Sequence, residues 1–208
     1  TRKESSAASD VYKRQNMSAR LDFTTREERL WIGPFAGLYN TFAQPLGWLL
    51  LRVMLGGWLL FEGWPKLMAP MAQVSFVEMI GFHPGWLFSP LLAVMQVAGG
   101  IGLILGLLTR PLALANAVML LVTVWFHFHF PYDAALLLTS AGIEAVKAHP
   151  EYITPNGAKR LFDGGAATLE LLQHKAIQLS SLWAAGCLFF AAFGGGVFSV
   201  DRLFKKEF

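Results

Sequence analysis

Four long apolar segments constrain this chain more than anything else in it. They cover about 46–64, 87–108, 111–130 and 179–198. Each is near the ~20 residues a helix needs to cross a bilayer core. In lipid, every backbone N–H and C=O must be satisfied internally, so lipid-facing segments of this length are helices. The expected fold class is therefore all-α, a membrane-embedded four-helix bundle. Composition points the same way. Of 208 residues, 54% are apolar and 15% charged, whereas a soluble domain carries about 25% charged residues. Seven Trp and 17 Phe suit aromatic belts at the two membrane interfaces.

The remaining segments frame these spans. Residues 1–16, "TRKESSAASDVYKRQN", are polar and without apolar period. They are expected to be a non-native or disordered leader, with Met17 the natural start. Residues 17–45 read as an interfacial amphipathic segment. Thr24 and Glu27 are spaced as a capping box. Trp31, Phe35, Tyr39 and Phe42 recur near helical spacing before an expected break at Pro45. Residues 46–208 then form the transmembrane domain. Its first span should stop at Pro65, and Thr109-Arg110-Pro111 should be a tight turn joining spans two and three. The insert 131–178 carries two amphipathic stretches, "AALLLTSAGIEAVKA" and "GAATLELLQHKAIQL", around turn-rich "HPEYITPNGAKR". They predict a small helical cap on the outer face, with the last helix running into the fourth span.

Charge sets an expected orientation. Arg20, Arg26 and Arg29 precede the first span, Arg110 lies between the second and third, and Arg202, Lys205 and Lys206 follow the fourth. With four spans these all fall on one side, which the positive-inside rule makes cytoplasmic. The expected location is a prokaryotic inner membrane, multi-pass, with both termini cytoplasmic and the lipid bilayer as first partner. The formal net charge of +3 is topogenic on this reading. No clustered basic face with stacking aromatics is present, so no nucleic-acid partner is expected. The one cysteine, Cys187, can form neither an internal disulfide nor a CxxC pair and reads as a packing residue. Any redox chemistry would need a bound cofactor, a quinone or a partner.

Polar residues inside spans are costly and mark candidate sites. At 100° per residue, Gly56 and Gly63 fall about 40° and about 20° from Arg52 around the first helix. Glu62 and Lys66 lie about 80° and about 40° to the other side. Glycines sharing a face with charges predict that this face looks into the bundle. In the third span Asn116, Thr123 and His127 form one stripe, while His129 is about 220° around from Asn116. "HFH" is thus not a two-histidine metal pair, and no metal site is expected. Depth gives two levels. Glu62 and His127 should each sit ~24 Å up from the cytoplasmic end, with Gln96 at ~18 Å. Glu62, Lys66, Gln96 and His127 are the ligand-binding candidates, and Arg52 and Asn116 an expected pair at the cytoplasmic level. The alternative for the first set is local: Arg52 snorkels while Glu62 and Lys66 pair at i,i+4. Gly102/Gly106 and the stripe Ala184, Ala191, Gly195 read as helix-packing surfaces.

These residues occur in three ordered motifs. Arg52…Gly56…Glu62-Gly63…Lys66-Leu67 resembles the opening signature of the DoxX family of small four-helix membrane proteins. "QVAGGIGLILGLLTRPLALA" (96–115), with Gly99, Gly100, Gly106, Thr109 and Arg110, resembles that family's second-to-third-helix core. "GGGVFSVD" (194–201), with Gly194, Gly196, Ser199 and Asp201, resembles its closing motif. The resemblance covers roughly 46–130 and 179–203. Many members have Glu where this chain has Gln96, and His where it has Glu62. The related DoxD family supplies a subunit of a thiosulfate:quinone oxidoreductase. The resemblance therefore implies a redox-associated, quinone-interacting membrane subunit beside an oxidoreductase partner. No haem ligand pair, dinucleotide fingerprint or CxxC appears, so such a chain would not carry electrons alone. The catalytic residues stay unassigned. A non-catalytic scaffold or assembly subunit is the alternative, and a small-solute transporter the third.

Overall fold

The computed structural model describes Arg26, Glu28, residues 30–132 and residues 137–204. Residues 1–16, the Thr24/Glu27 cap, Arg20, Arg29, Lys205 and Lys206 lie outside the described residues. Regular structure among the described residues is all helical. In chain order the α-helices are α1 (Phe35–Leu38), α2 (Gln44–Met68), α3 (Val74–Met79), α4 (Gly85–Leu105), α5 (Thr109–His129), α6 (Ser140–Ala148), α7 (Pro155–Leu161), α8 (Ala166–Phe193) and α9 (Val200–Leu203). The helices carrying α2, α4, α5 and α8 are each long and apolar enough to cross a membrane.

Two compact units divide at Gly47 and Trp48. In the first, α1 passes into a π-helical turn, Tyr39–Ala43. Its aromatic residues Trp31, Phe35, Tyr39 and Phe42 are exposed. The break expected at Pro45 does not occur. Pro45 lies just after the π-helical turn inside one continuous helical run, Phe35–Met68. Pro65 does not stop α2 either, which continues to Met68. It lies within a turn of the helix end, so one lost bond and one ring contact are all that must be accommodated.

The second unit holds the four-helix core. Leu55 and Leu59 of α2, Leu103 of α4, Ala113, Ala117 and Leu120 of α5, and Ala184, Cys187 and Phe190 of α8 form one buried cluster. Large apolar side chains point outward instead: Met54 and Phe61, Leu91 and Val94, Val118 and Phe128, and Leu182 are all exposed. This inversion suits a lipid solvent, in which an exposed Leu costs nothing and close packing supplies the attraction between helices.

Glycine sets how near α2 and α4 come. A Cβ on Gly56 would lie 2.7 Å from the Gly100 carbonyl oxygen, and one on Gly100 would lie 2.8 Å from the Gly56 carbonyl oxygen. Gly63 packs on Gln96 and Val97 in the same seam. The expected small-residue pair Gly102/Gly106 divides. Gly102 packs against Leu112, whereas Gly106 is left-handed at φ 70° and ends α4. Leu107 N donates to Gly102 O and Gly106 N to Leu103 O, the two bonds of a Schellman ending. The turn between α4 and α5 is therefore Gly106–Leu108, not Thr109–Pro111. Thr109 is already the first residue of α5. Gly195 likewise leaves the α8 stripe, because α8 ends at Phe193.

The insert is helical, with later starts than the periodicity predicts. Thr139 accepts from Gly142 N at 3.2 Å and Thr154 from Gly157 N at 3.1 Å. These hydroxyl caps begin α6 and α7. α8 then runs unbroken from the insert into the fourth span. Ahead of it, the Asp163 carboxylate accepts from Gly165 N at 2.9 Å and Ala167 N at 2.8 Å. Those bonds hold Asp163 below its ordinary pKa.

Gly56→Ala should lower the melting temperature in detergent, by an overpacking cost of about 1–3 kcal/mol. Gly57→Ala should be neutral or slightly stabilising, since a Cβ there meets nothing within 4 Å and alanine is the better helix former. Equal losses in the two variants would disprove glycine control of the seam. The pH behaviour of Asp163 follows from its depressed pKa. Its capping contribution is present in full above the unfolded aspartate value and is lost as pH falls through the lower folded one. Amide exchange at the start of α8 should therefore accelerate only below the ordinary carboxylate range, and at neutral pH in Asp163→Ala.

Candidate functional site: a polar knot and a polar cavity

The buried polar residues of the second unit gather in two places. The first is at the Arg52 end. Arg52 is 1% exposed, in the middle of an apolar helix. Its Nη1 donates to Gly195 O at 2.5 Å and its Nη2 to Phe198 O at 2.7 Å. Trp48, one turn earlier, donates from Nε1 to Gly194 O at 3.0 Å. α2 thus collects the carbonyls left open where α8 ends. Gly194 and Gly196 are left-handed, at φ 76° and 77°, which turns those carbonyls toward α2. A Cβ on Gly196 would strike the Trp48 ring.

Asp201 closes the knot from the other side. It accepts from Leu108 N at 2.7 Å, Thr109 N at 2.9 Å and Thr109 Oγ1 at 2.8 Å. Its own N–H donates to Gly106 O at 2.9 Å. A carboxylate from the far end of the chain therefore caps the N-terminus of α5, where unpaired N–H groups and the helix dipole favour an anion. Asp201 also acts electrostatically on Arg52. Ser199 Oγ donates to Gly196 O at 2.8 Å and completes the loop. The residues of all three sequence motifs meet here.

Asn116 is not the partner of Arg52. Its amide donates to Leu112 O at 2.9 Å and Met95 O at 3.3 Å. Gly99 lies so close that a Cβ there would overlap the Asn116 amide nitrogen. Asn116 therefore joins α5 to α4, one layer away from the knot. Arg52 is instead satisfied by the Gly195 and Phe198 carbonyls of the segment between α8 and α9.

The second place is a cavity of about 300 Å³ toward the other end. Glu62, Lys66, Gln96 and His127 all line it, with Thr123. Lys66 Nζ donates to Gln96 Oε1 at 2.9 Å. Lys66 reaches across to α4 instead of pairing locally, and Glu62 acts on it through space. Gln96 is 2% and His127 7% exposed. The Nδ1 of His127 is buried without a hydrogen-bond partner. Thr123 spends its hydroxyl on Met119 O at 3.1 Å. His129 faces away, exposed, with Nδ1 2.8 Å from Trp125 O.

Several wall residues were not singled out in the sequence. Ser180 and Trp183 come from α8, Gln73 and Phe76 from the α3 region. Ser180, Ala184 and Cys187 share one buried α8 face, so helical phasing of that span would have flagged Ser180. Nothing local marks Gln73. Ser89 holds its segment in place, donating from Oγ to Pro70 O and accepting from Gln73 N. Gln173 ties α8 to the end of α5 by donating to the His127 carbonyl and accepting from Tyr132 N. The Tyr132 ring stands edge-on to His127 at 5.5 Å, and burial pushes its phenol pKa up.

Comparison with known proteins agrees with the motifs. Residues 47–129 match the DoxX family model. Inner membrane protein YqjF of Escherichia coli (strain K12) is 24% identical over 165 residues, covering 79% of this chain and 96% of that protein. No solved structure matches.

Arg52→Met should cost about 3–5 kcal/mol of stability, as expected when one partner of a buried charged network is removed. Asp201→Ala should also destabilise. The double variant should cost less than the sum of the two, because both residues serve the same turn. Thermal melts in one detergent check this, and strict additivity would refute the shared knot.

Proposed function

We propose, for an integral membrane protein that carries a DoxX domain over residues 47–129, that the polar cavity takes the headgroup of a quinone and that the chain serves as a redox-associated subunit of a membrane oxidoreductase system. The observation that carries this reading is a cavity lined together by Lys66, Gln96 and His127, the last of which has a buried Nδ1 without a hydrogen-bond partner. A buried polar atom without a partner is costly, and a ligand is one way to satisfy it.

A quinone head is flat and largely apolar, with two carbonyl oxygens that accept hydrogen bonds. Lys66 has three N–H donors and gives one to Gln96; Gln96 keeps its own amide donors, and His127 can donate from Nδ1 in one tautomer. Glu62 offsets the Lys66 charge. Phe76, Leu92 and Trp183 supply apolar walls. Gln96 cannot ionise, so proton transfer in this chain would not run through it. Electrons would come from and return to a partner subunit.

The Arg52 end favours a second role beside this one. Its carbonyls and N–H groups are matched by side chains from α2 and α9, as in a scaffold. The orientation that fits the charge pattern puts this knot, with Arg110 and Arg202, on the cytoplasmic side of an inner membrane.

Purified protein should bind a soluble quinone analogue, read by quenching of tryptophan fluorescence. His127→Ala and Gln96→Leu should each weaken binding about tenfold, the effect of ~1.4 kcal/mol, with little change in melting temperature. Undetectable binding, or binding untouched by both substitutions, would sink the quinone reading and leave the scaffold.

A further inference from the structure

A second cavity of about 360 Å³ lies beside the first, and its wall is apolar almost throughout. Ile80, Phe88, Met95, Ala115 and Val118 line it, between α4 and α5 and under α3. Leu91 and Val118, at its mouth, are 52% and 54% exposed, on faces that meet lipid. The two cavities share Phe76, Leu92, Met119 and Thr123 as wall residues. They are therefore adjoining and both partly open, one lined by Lys66, Gln96 and His127, the other almost wholly apolar.

We infer that the apolar cavity is the lateral entrance for a membrane-dissolved amphiphile, and that it holds the hydrocarbon tail of the ligand whose polar head occupies the cavity of Lys66, Gln96 and His127. This rests on the ligand-binding reading of the polar cavity and goes beyond it, by assigning the tail and the route.

The juxtaposition suits such a molecule and few others. A small polar solute gains nothing from the apolar side. A plain hydrocarbon leaves His127 Nδ1 without a partner and adds none to Lys66 beyond Gln96. At the shared wall, Thr123 returns its hydroxyl to its own helix, so the threshold offers a tail no unpaired donor. Phe76 stands edge-on to Phe126 at 4.9 Å and forms the roof of the threshold. Entry from the bilayer also avoids passing the headgroup through the Arg52 knot.

The test compares two probes of the same quinone head, one with a long isoprenoid tail and one without, on the full chain in nanodiscs. Wild type should bind the tailed probe at least tenfold more tightly after correction for partition into lipid. Ala115→Phe and Val118→Phe fill the groove from its lipid side, away from the head cavity. Each should abolish the preference for the tail and leave the tail-less affinity unchanged. Equal affinity for the two probes in wild type, or a preference that survives both variants, overturns the inference while the head cavity stands. Native mass spectrometry adds a further outcome: a retained phospholipid lost in Ala115→Phe, with no preference for the tailed probe, assigns the groove to structural lipid and also overturns it. If neither probe binds, the reading of the polar cavity fails and the tail groove falls with it.

Discussion

Everything at one end of this protein depends on a guanidinium buried in an apolar helix. Burying an arginine within the apolar part of a membrane span is costly. Arg52 offsets that by bonding the carbonyls of Gly195 and Phe198, in the segment between α8 and α9. Each group solves the other's problem. The charge finds oxygen acceptors without water, and the segment after α8 finds donors without water. Asp201 completes the exchange by taking the open N–H groups at the start of α5. Three helix termini and residues of all three sequence motifs are thus joined in one network, and loss of any member leaves the others unpaired in a low dielectric.

Packing along the helices follows a second constraint. Lipid tails are as apolar as leucine, so burying leucine drives nothing and contact must come from shape. The seam between α2 and α4 answers this with Gly56 and Gly100, each lying against the other's backbone. Asn116 fits over Gly99 for the same reason. The outward Leu, Phe and Trp residues then serve as solvent-facing surface.

The cavity differs from the knot in kind. At the knot Arg52 bonds through both Nη atoms while its Nε stays buried without a hydrogen-bond partner. In the cavity His127 keeps a buried nitrogen unpaired, and Lys66 spends one of three donors on Gln96. What sets the cavity apart is the open volume beside those groups.

Much of the fold was legible because membrane spans obey simple rules. Length and apolarity mark the four helices, and 100° phasing put Glu62, Lys66 and His127 on faces that line one cavity with Gln96, although Glu62 itself is exposed. His127 and His129 separated onto opposite faces for the same geometric reason. Phasing says which way a side chain points, however, and not what it meets. Arg52 points inward as expected, yet its partners come from 143 and 146 positions away. Asn116 sits on the right face and bonds a different helix. The α4–α5 turn moved because Gly106 could adopt the left-handed conformation and Asp201 could cap what followed, a pairing no local pattern contains. Helix existence, face and depth are properties of one segment's composition and period. Partners, cavities and the lateral groove arise only where separate segments meet, because the groups that satisfy a buried charge are chosen by their position in space.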